Sequence, residues 1–93
     1  MRKNNNPTPW RTNTQNYLIG KWFADNPNKW CDQFTIEYFC GSRKAATRIG
    51  EVERKLGVKF EHVLAKSETT NSKYEVYRSS KETSDYLKQK FYN

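Results

Sequence analysis

The spacing of apolar positions changes along the chain, and each change marks an element. From Asn16 to about Asn26, Leu18, Ile19, Trp22 and Phe23 fall at i, i+1, i+4 and i+5, the broad apolar face of an amphipathic helix. Thr12 or Thr14 can cap it, and Asn26-Pro27-Asn28 should stop it, since a residue before proline is pushed out of helical backbone. Trp30 to Cys40 fits two periods. Phe34, Ile36 and Tyr38 alternate as in a strand, while Trp30, Phe34 and Tyr38 also stand four apart. Asp32 as an N-cap and Gly41 as a stop favour a short extended lead-in at Trp30 and Cys31, then a helix to about Phe39.

The clearest period runs from Ser42 to Gly57. Ser42 reads as the N-cap and Gly57 as the left-handed residue past the end. Ala45, Ile49, Val52 and Leu56 form one narrow stripe. The opposite face holds Arg43, Lys44, Thr47, Gly50, Glu51, Arg54 and Lys55, with Arg48 at its edge. With Gly41-Ser42 as the bend, the chain reads helix, tight turn, helix.

Beyond Gly57 the period becomes strand-like. Val58 to Lys66 carries Phe60, Val63 and Leu64, and Lys73 to Arg78 alternates through Tyr74 and Val76. The loop formers S-E-T-T-N-S lie between, so a β-hairpin follows the third helix. From Ser79 the pattern is helical again, with Ser79 and Glu82 as a capping-box pair and Leu87 and Phe91 four apart beside Tyr86. This last helix can pack on the core or pair with the same helix of a second chain, which leaves a homodimer open.

The expected fold class is therefore mainly α with a β-hairpin (α+β), a winged helix-turn-helix. Its organisation is a basic arm over 1–15, the winged domain over 16–78, and a C-terminal helix or tail over 79–93. Composition adds one main fact: Lys and Arg number 17 against 10 Asp and Glu, a net +7. The excess gathers at Arg2, Lys3 and Arg11 in the Asn-rich start, which Pro7 and Pro9 break, and on the helix from Ser42. A charge of this sign favours polyanions, nucleic acid before an anionic membrane. No apolar run reaches membrane-spanning length, and Met1-Arg2-Lys3 leads into Asn and Pro rather than a signal core, so the cytoplasm is expected.

Candidate chemistry is sparse. Cys31 and Cys40 stand nine apart beside a single histidine, His62, which matches no zinc-ligand spacing; the two thiols read as small, reduced, partly buried residues. There is no paired-carboxylate motif, no Gly-rich phosphate loop and no nucleophile with a base at a recognisable spacing. An enzyme, a metal and a cofactor are not expected.

The run from Gly41 to Gly57, G-S-R-K-A-A-T-R-I-G-E-V-E-R-K-L-G, resembles the small helix-turn-helix proteins of phages and mobile elements. The shared positions are Gly41, Ala45, Ala46, Arg48, Ile49, Val52, Lys55, Leu56 and Gly57. The resemblance covers about residues 17–78 and departs where Phe34, Tyr38 and Phe39 replace small aliphatics. It implies that this helix is a recognition helix, that Lys73-Tyr74-Glu75-Val76-Tyr77 returns from a wing, and that a phage-borne chain would act in the host cytoplasm.

The leading expectation is double-stranded DNA binding, as a transcriptional regulator or an accessory factor in excision or replication. Arg43, Lys44 and Thr47 would meet base edges, while Arg48, Arg54, Lys55, Lys66 and Lys73 would take phosphates. Arg2, Lys3 and Arg11 would add the arm. Glu51 belongs on this surface only if it accepts from cytosine or pairs with Arg54 or Lys55. The alternative is a protein-binding winged helix, such as a phage inhibitor of a host nucleic-acid-binding or immunity complex. RNA binding through exposed aromatic rings is a third option.

Overall fold

The computed structural model describes residues 14–92. Within them the order is α1 (Gln15–Asp25), β1 (Cys31–Asp32), α2 (Gln33–Cys40), α3 (Ala45–Leu56), β2 (Glu61–Lys66), β3 (Lys73–Arg78) and α4 (Lys81–Tyr92). The protein is a small α+β fold in which four helices pack with a three-stranded antiparallel sheet of order β1-β3-β2.

Local chemistry sets most of the boundaries. Thr14 caps α1 by accepting from the Tyr17 N–H at 3.3 Å. Thr14 and Gln15, assigned above to the arm, thus belong to the first helix. Asp32 caps α2 through a 2.8 Å bond from the Thr35 N–H, and Gly41 ends it with φ +78°. Gly57 ends α3 in the same left-handed way, at φ +70°.

Other boundaries differ from expectation. Ser42 does not cap α3. Its hydroxyl accepts from the Lys44 N–H at 3.1 Å, bending the chain before the helix, and α3 begins at Ala45 with Lys44 in the cap position. Residues 58–60 are a connector rather than strand, because the Glu53 carboxylate takes the Phe60 N–H at 2.8 Å. At α4 the capping pair is Ser80 with Thr83 instead of Ser79 with Glu82, since the Thr83 N–H donates to the Ser80 hydroxyl at 3.2 Å. Ser79 is fully buried.

The core is one cluster. Ile19, Phe23 and Ala24 of α1, Ile36 of α2, the Ala45/Ile49/Val52/Leu56 stripe of α3, Tyr77 of β3, and Leu87 and Phe91 of α4 are all buried in it. Phe23 and Phe60 stack with ring centroids 4.5 Å apart. Hence α4 packs on the core, against α1. Gly20 makes the closest approach: a Cβ there would stand 2.5 Å from the Phe91 ring.

The two extra residues of sheet, β1, tie the helices to the hairpin. Cys31 pairs with Tyr77 and Asp32 with Val76, while β2 runs along β3 from Glu61 opposite Arg78 to Lys66 opposite Lys73. Alternate residues share a face. His62, Leu64 and Lys66 therefore lie on the side of Tyr77, Glu75 and Lys73, and the core lies on that side. Trp30, with its ring 4.5 Å from the Arg78 guanidinium, lies on the other.

Candidate nucleic-acid interface

The outward face of α3 follows from the inward one. Burying Ala45, Ile49, Val52 and Leu56 turns Thr47, Arg54 and Lys55 into solvent, and Arg43 and Lys44, just before the helix, are exposed as well. Ala46 is also exposed and Gly50 half-buried, and both line the cleft between α3 and the sheet. The Arg54 guanidinium lies back over Gly50, 3.3 Å from where a Cβ would stand, along the N-terminal lean of helical side chains.

Both acids of the helix are already engaged. Glu51 accepts from the Asn16 amide at 3.0 Å and from Arg48 at 2.6 Å, and these bonds, Asn16 first, hold its carboxyl below the usual carboxylate range. Its partners are thus Arg48 and Asn16, rather than Arg54 or Lys55. Glu53 faces the connector and takes the Phe60 N–H. Among the described residues no ion pair holds Arg43, Lys44, Arg54 or Lys55. Arg48 differs from them: it is only 29% exposed and committed to Glu51, with its Nε buried without a hydrogen-bond partner among the described residues.

The hairpin supplies the second basic element. Lys66 and Lys73 are exposed and directly opposite each other where the strands enter the turn. Like charges in that arrangement repel. They also leave the sheet on the same face as His62 and Tyr77, and that face borders α3 across an open cleft of about 260 Å³ lined in part by Ile49, Glu53, His62 and Tyr77. The helix and the two lysines therefore belong to one side of the molecule. In the cleft His62 Nδ1 lies 3.1 Å from Glu75, and its ring stacks on Tyr77 with centroids 5.9 Å apart. Burial pushes the Tyr77 hydroxyl up to about 12, so it stays protonated at neutral pH.

Arg2, Lys3 and Arg11 lie outside the described residues. Cys31 and Cys40 are buried free thiols, and burial pushes Cys31 up to about 11. Among the described residues no group of three or more His, Cys, Asp or Glu is placed to hold a metal ion, and no helix is long and apolar enough to cross a membrane.

Sequence reasoning missed two features. Asn16 stands 35 residues from Glu51, beyond any local pattern. The second is a set of exposed rings: Tyr38 is 90% exposed, Phe34 57% and Trp30 44%, with Phe34 against Tyr74 at 5.6 Å and Trp30 against Arg78, on the sheet face away from the core. The signal for Phe34 and Tyr38 was their four-residue spacing, which marks one face of α2 without saying whether that face is in or out; Trp30 stands before β1 and off that helix. No protein-family model, curated protein or solved structure matches this chain.

Proposed function

We propose that the chain is a winged helix that binds double-stranded DNA, with α3 in the major groove and the β2–β3 hairpin as a wing on the flanking backbone. The observation that carries this reading is the one-sided arrangement of free cations: Arg43 and Lys44 just before α3, Arg54 and Lys55 near its end, and Lys66 and Lys73 on the sheet face that α3 borders. Arg43 and Thr47 sit at the start of the helix, where base edges are read, and Arg54 and Lys55 sit where the groove wall brings phosphates. The Lys66–Lys73 repulsion is relieved by an anion between or beside them, which gives the wing a reason to bind a polyanion. Glu51 reads no base here, because its carboxylate is engaged by Asn16 and Arg48. A role in regulation, excision or replication for a phage or mobile element fits such a module.

The test is a mobility shift of the full chain on mixed-sequence duplexes at low and physiological salt. Binding should weaken steeply with salt, as counterions are released at each neutralised phosphate. Absence of any shift at low salt would sink the reading. A second reading, a module that docks on another protein such as a host immunity complex, draws on the exposed Phe34, Tyr38 and Trp30 rings. Salt-insensitive capture of a protein without a duplex shift would favour it.

A further inference from the structure

The sheet has two edges, and they are built differently. β1 is two residues long and runs straight into α2, so it offers almost no free ladder. The other edge, β2, is six residues long, contains no proline, and keeps a constant register with β3 without a bulge. Among the described residues no other strand pairs with it. Val63 and Leu64, in its middle, are 51% and 60% exposed. Long regular edges with exposed aliphatics are what monomeric proteins avoid, because the unpaired N–H and C=O groups recruit another strand.

We propose that β2 pairs antiparallel with β2 of a second copy, about a two-fold axis through Val63. An antiparallel strand pair sets residues of the same face opposite each other, so only certain centres are open to self-pairing. A centre at His62 opposes two imidazoles, and a centre at Leu64 sets His62 against the partner's Lys66. At Val63 no like charges are opposed: Val63 meets the partner's Val63, His62 meets Leu64, and Glu61 meets Ala65. The Val63–Val76 pair within each copy then becomes one aliphatic row across both sheets. Beyond the strands, the partner's Ser67 comes opposite Lys59, which brings Glu68 beside that lysine at both ends.

Such an axis stands perpendicular to the sheet and preserves its faces. Both α3 helices and both Lys66–Lys73 pairs thus emerge on one side of a six-stranded sheet, as two equivalent binding surfaces. The assembly is closed, since each copy spends the one long sheet edge among its described residues. The dimer needs no DNA to form, so its test is independent of the proposed function.

Sedimentation equilibrium of the full chain should show a concentration-dependent rise from 11.1 kDa towards twice that mass. Val63→Lys sets two ammonium groups on the axis and should weaken dimerisation by about tenfold or more. Its thermal melt at concentrations where both proteins are monomeric should stay unchanged, because the site is exposed. A second variant guards against misfolding: Val63→Cys should be joined by a short bismaleimide, while Lys73→Cys, at the far end of the hairpin, should not. A wild-type chain that keeps its single mass at every concentration overturns the proposal. So does a dimer that survives Val63→Lys, or one lost on deleting residues 1–13 but indifferent to Val63→Lys.

Discussion

Arg43, just before α3, and Arg54, near its end, carry the same charge and are both exposed, yet they should fail differently. Arg43 precedes the first turn, where a guanidinium can reach a guanine edge with two bonds. Arg43→Ala should cost about 1–3 kcal/mol on the preferred site and relax selection at one base pair. Arg54→Ala, over Gly50 and further along, should weaken all duplexes alike and reduce the salt slope by about one. Binding-site selection on both variants checks this, and indifference of a folded protein to both changes would remove α3 as the reading element. Neither residue is in the core, so melting curves should match the wild type. Ser84 has the opposite profile. Pro27 has no N–H, so the Phe23 carbonyl four residues earlier lacks its helical partner. The buried Ser84 hydroxyl supplies it at 2.7 Å, and the Ser79 hydroxyl lies 2.8 Å from Ser84. Ser84→Ala leaves that carbonyl unpaired and should cost about 1–3 kcal/mol in chemical unfolding, without changing duplex affinity in the folded protein.

At the scale of elements, what was legible in the sequence was what is decided locally. Asp32 and Gly41 settled the ambiguous Trp30–Cys40 stretch as a helix because a cap and a left-handed stop act within a turn of themselves. The Ala45-to-Leu56 stripe was legible for the same reason, as a single period fixes one buried face. The start of α3 was not, because Ser42 had a competing use for its hydroxyl two residues on. Nor was the docking of α4 on α1, which depends on Gly20 admitting a ring from residue 91. Gly20→Ala gains helix propensity of about 1 kcal/mol but forces the Phe91 ring away. Overpacking of about 1–3 kcal/mol should win, giving a lower melting temperature that Gly20→Ala with Phe91→Leu partly restores. The Asn16–Glu51–Arg48 link joins α1 to α3 through a carboxyl held below its usual range, so its contribution is present near neutrality and is lost as pH falls through that lowered value. The melting difference between wild type and Glu51→Gln should close in strong acid; a difference that persists unchanged there would contradict the link. The candidate site was legible as a list of cations on one helix. Which acids neutralise which cations depended on contacts across the fold.

On the scale of the whole molecule, the buried residues gather at one end of the sheet. Tyr77 and Cys31 are inside the cluster with Phe60, whereas from His62 to Lys73 the hairpin is exposed except for Ala65 and Ser67. Strand bonds beyond that point are backed by water rather than by side chains. Amide hydrogen exchange should therefore divide the protein into two classes. Amides of Phe23, Val52 and Leu87 should open only with global unfolding, while those between Val63 and Tyr74 should exchange through a local event that denaturant barely accelerates. A hairpin as slow to exchange as the helices would show that something outside the monomer protects it. The proposed reading helix should thus be anchored in the last part of the protein to open and the hairpin in the first, so that one surface combines a rigid template with a part that can adjust to the shape of what it touches.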